Sequence, residues 1–337
     1  MEIKDLGGLS VPLTRLIEVV SNGIGAVSRP YLIRRDADAK AYKARVISSA
    51  LKDVADQHHL PVMFKDDEFE IWQKPDDKTL VLQIPNNEDR VKSRLDYQER
   101  KRQKNIESIT SVAAADLLDQ SSLPDEKPDE DWVSRYFNSA QDVSSEQMQE
   151  LWGRILSGEI KKPGSYSLKT LDFVKNLTKA DAILLEHVAK LAVNYNGSSF
   201  LVTADADWLR THREIYPGHH FALGELGAMY PTDLNYDTFR ENSSQEELFV
   251  SGKLILVAGR GTITNKVGLP IWKFTKVGQE LLQLIAAEGD EAYLEKIGRF
   301  FIAKNGTATI GRILEYLPTG QVLYQPLREI SSEAVQA

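Results

Sequence analysis

His212, His219 and His220 stand close together in the chain, with Asp205 and Asp207 just upstream. Imidazoles beside carboxylates are the donor set of a divalent metal site. Their spacing matches no standard ligand motif, the His-Glu-x-x-His arrangement being absent, and a loop of polar residues is the plainer reading. A metal-dependent hydrolase therefore ranks last of three functional readings. Gly259-Arg260-Gly261-Thr262 has the glycines of a phosphate loop but not the Lys and Ser or Thr that complete one, and reads as the tip of a β-ribbon. The pairs Asp66-Asp67 and Asp76-Asp77 suit turns better than two-carboxylate catalysis. His58-His59, just before Pro61, suits a helix end, where a protonated imidazole meets the negative end of the dipole. No nucleophile stands beside a base, so the sequence assigns no catalytic residue, no metal ligand and no cofactor, and the protein reads as non-enzymatic.

Composition narrows the remaining classes. The chain has 337 residues, enough for two or three domains, and no cysteine, which removes disulfides, thiolate nucleophiles and Cys-based metal sites. That fits a cytoplasmic protein. No apolar run is long enough to span a bilayer, and Glu2 and Asp5 do not suit a secretory leader. A net charge of −8 argues against non-specific nucleic-acid binding by the whole molecule. The exception is the stretch holding Arg90, Lys92, Arg94, Arg100, Lys101, Arg102 and Lys104 against Asp96 and Glu99. These cations are nucleic-acid candidates, although only Tyr97 interrupts them as an aromatic, and a solvated helix face is the favoured reading.

The elements that would position such residues follow from periodicity. Leu9, Leu13, Leu16, Ile17, Val20, Ile24 and Val27 recur at helical spacing, with Ser10 as N-cap and Pro12 in the first turn, and Ser28-Arg29-Pro30 ends the run. A thinner stripe marks a second helix over 34–57. Leu13, Leu16, Ile17, Val20 and Ile24, with Arg29, Arg34 and Arg35 beyond, are candidates for self-association or for a peripheral membrane surface with anionic headgroups. Packing within the protein's own core is the favoured alternative. Runs at 68–73 and 79–84 about a Pro-Asp turn predict a β-hairpin, and 88–119 predicts a long helix. Pro124, Pro128 and the serines around them mark a linker over 120–131.

In the second half the scaffold signals are Trp132, Ser144, Leu151, Trp152, Thr178 and Thr275. Ser144 and Gln147 read as a capping box ahead of Met148, Leu151, Trp152, Ile155 and Leu156. Thr178 and Thr275 read as caps of further helices, and a helix is expected over 221–230. Strand-like runs fall at 247–250, 254–258 and 270–274. Helices, a β-ribbon and a capped helix in that order suggest a winged-helix-like domain. The tail supplies a helix at 292–303 and short runs at 307–317 and 321–327, a small α/β cap. The expected fold is mainly α with small β elements (α+β), a helical N-terminal half with a β-hairpin and a winged-helix-like C-terminal half. Its parts are 1–57, 58–119, the linker 120–131, 132–285 and 286–330.

The chain resembles an uncharacterised bacterial family related to the abortive-infection Abi-alpha proteins. The resemblance is carried by Gly8-Leu9-Ser10, Pro12-Leu13-Thr14, Ile17-Glu18 and Asn105-Ile106-Glu107, and most by Met148 to Trp152, Gly158-Glu159, Pro163-Gly164-Ser165 and Leu171 to Ala182. It extends over most of 10–285. The resemblance implies a bacterial protein, often encoded on prophages or other mobile elements, with a suspected part in phage defence, and it transfers no active site. The expected function is self-association or partner binding, as a homo-oligomer or with a protein partner, by an effector or sensor at the cytoplasmic side. A winged-helix DNA-binding regulator is the alternative.

Overall fold

A computed structural model of the chain describes residues 10–25, 62–65, 68–71, 87–118, 120, 122–241, 245–317 and 321–331. Arg29, Arg34, Arg35, the helix expected over 34–57, His58-His59, both acidic pairs and the strand expected over 79–84 lie outside the described residues. The chain divides into two compact units, Met1–Pro163 and Gly164–Ala337.

The first unit is helical. Helix α1 spans Val11–Ile24, with Ser10 at its N-cap, Pro12 in its first turn and Gly25 closing it in the left-handed region at φ 68°. Only a residue without Cβ takes that conformation at little cost. Strand β1 (Val62–Lys65) pairs antiparallel with β2 (Glu68–Ile71). β2 falls in the run expected over 68–73, and its partner among the described residues is the segment before it. Helix α2 (Asn87–Leu117), α3 (Glu130–Ala140) and α4 (Glu146–Lys161) are the unit's other helices among the described residues. Asp129 caps α3 through the Trp132 N–H at 2.9 Å. The core joins Leu16, Ile17 and Val20 of α1 to Ile109, Ala113 and Leu117 of α2, Tyr136 and Phe137 of α3, and Trp152, Ile155 and Leu156 of α4, all buried. Tyr136 is its centre, 5.1 Å from the Trp132 ring and 5.2 Å from Trp152, and its hydroxyl donates to the Trp152 carbonyl at 2.7 Å. The segment 122–129 belongs to this unit. Arg15 donates to the Glu126 carbonyl at 2.9 Å and Lys127 pairs with Glu18 at 3.0 Å.

The expected capping box at Ser144 is absent. Ser145 is the N-cap of α4 and makes no side-chain cap bond. The turn is held instead by Gln149, whose amide donates to the Val143 carbonyl at 2.9 Å and to Oδ1 of the buried Asn105 at 3.1 Å, while Asn105 Nδ2 donates to the Gln141 carbonyl at 2.8 Å. Side chains from α2 and α4 thus take over the work of a local cap.

The second unit carries the β structure. Its helices are α5 (Leu168–Asn176), α6 (Lys179–Ala189), α7 (Ala206–Arg213), α8 (Pro217–Leu226), α9 (Lys276–Leu282) and α10 (Glu291–Ile302). Thr178 forms a full capping box with Asp181, and Thr275 accepts the Gly278 N–H at 3.2 Å, as their positions predict. The strands β3 (Val193–Tyr195), β4 (Ser198–Val202), β5 (Leu234–Thr238), β6 (Glu246–Ser251), β7 (Leu254–Gly259), β8 (Val267–Lys273), β9 (Thr307–Tyr316) and β10 (Val322–Glu329) form one antiparallel sheet in the order β10-β9-β7-β6-β3-β4-β8-β5. The fold is α+β, with more sheet than the sequence suggests, since the tail strands join through β9 to β7, Leu256 opposite Ile310. The β6–β7 turn is Gly252-Lys253, between paired Ser251 and Leu254. Gly259-Arg260-Gly261 instead leads out of β7, correcting its expected place at the ribbon tip. Helix α10 covers the sheet with Tyr293, Leu294, Ile297 and Phe301. The Tyr293 hydroxyl meets both backbone groups of Val202, at 2.6 and 2.9 Å.

Candidate functional site

The apolar stripe of α1 faces inward. Leu13, Leu16, Ile17 and Val20 are buried and Ile24 is half-buried, with α1 packed on α3 within the first unit. The stripe offered above as a lipid or self-association surface therefore serves its own unit's core, since burying it there removes the same area from water that a membrane would. No helix among the described residues is long and apolar enough to cross a membrane. Beside α1, a cleft of about 510 Å³ is lined by Arg15, Glu18, Asn22, Lys127, Glu130 and Asp131. Its two cations are both engaged by Glu18.

The basic candidates lie on α2. Arg90, Arg94, Arg100, Lys101 and Lys104 are exposed. Arg102 differs: it donates to Asp142 at 2.9 Å and to Glu99 at 3.0 Å, bonds that hold its guanidinium above the usual arginine range. Trp132 and Trp152 are core residues, Leu151 is half-buried and Ser144 is exposed.

The residues weighed as metal ligands go to separate tasks. Asp205 caps α7 through the Trp208 N–H, Asp207 pairs with Arg210 at 3.1 Å, and His212 stacks on Trp208 with its Nδ1 2.7 Å from the Thr211 hydroxyl. Among the described residues no three His, Asp or Glu side chains come together to hold a metal ion.

What these histidines build is the seat of α8. The helix occupies 217–226, earlier than expected, because Pro217 is preorganised for a first turn and Gly227, at φ 85°, stops it. His220 is buried, lies flat on Trp272 of β8 at 4.6 Å, and has Nε2 2.7 Å from the Tyr230 carbonyl. A carbonyl only accepts, so Nε2 carries the proton. Trp272 in turn donates to Asp233 at 2.6 Å. His219, one residue back, sits 5.3 Å from the Tyr216 ring and 6.1 Å from His187 of α6. Burial, and then the like charge of His187, pushes its pKa down.

With its inner side fixed this way, α8 turns Phe221 outward, 60% exposed, while Tyr216 at its N-cap and Tyr230 in the segment beyond Gly227 are 43% and 46% exposed. Ile183, on α6 beside α8, is 58% exposed. The sequence of α8 contains neither lysine nor arginine. Of the cations in the segments around it, Arg210 pairs with Asp207, Arg213 with Asp290, and Lys266 with Asp237 at 2.7 Å, while Lys273, whose carbonyl accepts the Tyr230 N–H at 2.9 Å, forms no ion pair among the described residues. Sequence reading placed a helix here but missed the exposure of Phe221, because apolar residues in a short helix read as core until the sheet shows which side is covered.

A family model described as "Protein of unknown function (DUF2806)" matches residues 89–298. No curated protein and no solved structure matches the chain.

Proposed function

The chain belongs to the family described as Protein of unknown function (DUF2806), and from that premise we propose that it is a non-enzymatic protein that acts by self-association through the outward side of α8. The observation that carries this reading is the pairing of exposed Phe221, Tyr216 and Tyr230 with a helix free of cations. Exposed large aromatics are what interface centres use, and a two-fold axis lets one such surface cover its own copy. The winged-helix-like reading of this unit is supported by the order α6, β4, α7, α8, β5, β8 together with the strand order β4-β8-β5, the β6–β7 hairpin being an insertion between the last two. In that reading α8 takes the place of the recognition helix.

The setting proposed is phage defence, as an effector or sensor in the bacterial cytoplasm, and its support is the resemblance through Met148 to Trp152, Pro163-Gly164-Ser165 and Leu171 to Ala182. A DNA-binding regulator is the second reading. It needs free cations beside α8 to meet phosphates, and with Arg210, Arg213 and Lys266 each held by a carboxylate only Lys273 of this group has no ion pair among the described residues, too little positive charge to favour it.

Sedimentation of wild type and Phe221→Glu across a wide concentration range tests the proposal. The expected result is a discrete oligomer for wild type and a monomer of unchanged melting temperature for the variant. Equal masses for the two, or a wild type that stays monomeric, overturns it.

A further inference from the structure

The first unit carries a second surface, unrelated to α8. From Asn87 to Lys101 every residue of α2 is exposed, so nearly half of this helix stands clear of the core that its remainder enters at Asn105. In the exposed half Arg90, Arg94, Tyr97, Lys101 and Lys104 recur at spacings of four, three, four and three. At 3.6 residues per turn these five share one face about 80° wide and about 21 Å long. The acids Glu88, Asp89, Asp96 and Glu99 project on the other side of the helix. Val91 and Leu95 lie away from the stripe too, in line with Ile109 and Ala113, which are buried further along. The stripe therefore combines separated cations with one aromatic, Tyr97, which is 69% exposed. Among the described residues no carboxylate forms an ion pair with Arg94, Lys101 or Lys104 that would compete with an incoming anion.

We propose that this face of α2 binds single-stranded nucleic acid, the cations Arg90, Arg94, Lys101 and Lys104 meeting successive phosphates and the Tyr97 ring stacking on an unpaired base. Charge complementarity selects a polyanion, and the position of Tyr97 between Arg94 and Lys101 selects the strand: an acidic peptide's carboxylates would use only the phenol hydroxyl and leave the ring face unused, whereas every base has a face to stack on it. A bilayer is a poorer fit, since an interfacial helix sets its cations beside an apolar face, and here immersing Val91 and Leu95 would carry Glu88 and Glu99 in with them. The overall charge of −8 then acts to confine binding to this stripe.

The test uses the full chain and a fluorescent oligothymidylate, with a duplex of equal length, polyglutamate and phosphatidylserine vesicles as competitors, titrated at several salt concentrations. Four phosphate contacts predict a log–log salt slope of about −3, falling in magnitude by about 1.4 in the double variant Arg94→Gln/Lys101→Gln. Loss of one stacked base in Tyr97→Ala predicts about tenfold or more weaker binding, with Tyr97→Phe restoring it. These side chains are exposed, so unchanged circular dichroism and melting are expected and exclude misfolding as the cause. No binding at low salt, indifference to Tyr97→Ala, or equal or better competition by duplex, polyglutamate or vesicles overturns the proposal.

Discussion

Tyr195 of β3 donates its hydroxyl to Glu247 of β6 at 2.6 Å, and the other oxygen of the same carboxylate accepts the Phe239 N–H at 2.8 Å. Glu247 is buried, and Phe239 holds a positive φ of 52°. One carboxylate thus ties the middle of the sheet to the turn that leaves β5. A buried acceptor that loses a charged hydrogen bond keeps its desolvation cost, so Tyr195→Phe is expected to destabilise the second unit by about 1.5–3 kcal/mol. Urea unfolding measures this, and a loss below experimental error would mean that water replaces the hydroxyl.

Gly153 of α4 packs directly against α2. A Cβ there would lie 2.6 Å from Val112 Cβ and 2.9 Å from the Ile109 carbonyl. Alanine is favoured over glycine in a helix by about 1 kcal/mol, but overpacking a close helix contact costs about 1–3 kcal/mol. Gly153→Ala is therefore expected to lower the melting temperature of the first unit. A rise would show that the helices part without cost.

The burial of α1 gives a prediction that separates core from surface. Leu16→Ala removes a fully buried side chain and is expected to cost about 2–5 kcal/mol. Ile17→Asp should expose the first unit to proteolysis altogether. A variant that keeps its melting temperature and changes only its mass would restore α1 as an association element.

His219 predicts an acid limb in the stability profile. Its folded pKa lies below the ordinary 6.5, through burial first and the His187 charge second, so the unfolded chain binds the proton more readily. Its contribution is complete above pH 6.5 and is lost as pH falls through the folded value. Melting temperature should fall over that interval in wild type and less steeply in His219→Gln; parallel curves would sink the assignment.

Arg328 and Glu295 predict a second, lower acid transition. The Arg328 hydrogen bond, aided by Arg299 against the opposing effect of burial, holds the Glu295 carboxyl below its usual range. Because that pKa is lowered in the fold, the stabilisation is present above the unfolded value and lost as pH falls through the folded one. Arg328→Gln should shrink the difference without abolishing it, since Arg299 stays on the same carboxylate, as read by acid titration of unfolding, while leaving stability near neutral pH within about 1 kcal/mol of wild type for a partly exposed pair.

The sequence by itself determined the features whose causes lie within a few residues of one another. The stripe of α1, the split between α5 and α6, and the caps at Thr178 and Thr275 each rest on periodicity or on a side chain reaching a backbone group three residues on. The α+β class was legible for the same reason, as were the positions of β6, β7 and β8. Tertiary structure alone decided the rest. It gave β2 the preceding strand as its partner, brought Asn105 and Gln149 together in place of a capping box at Ser144, and joined Leu256 to Ile310 so that the tail extends the main sheet. It also decided that Leu16 and Ile17 are covered while Phe221 and Tyr97 are not. An apolar or aromatic side chain states only that it gains by leaving water; which neighbour provides the cover depends on segments far away in the chain, and no local pattern encodes it.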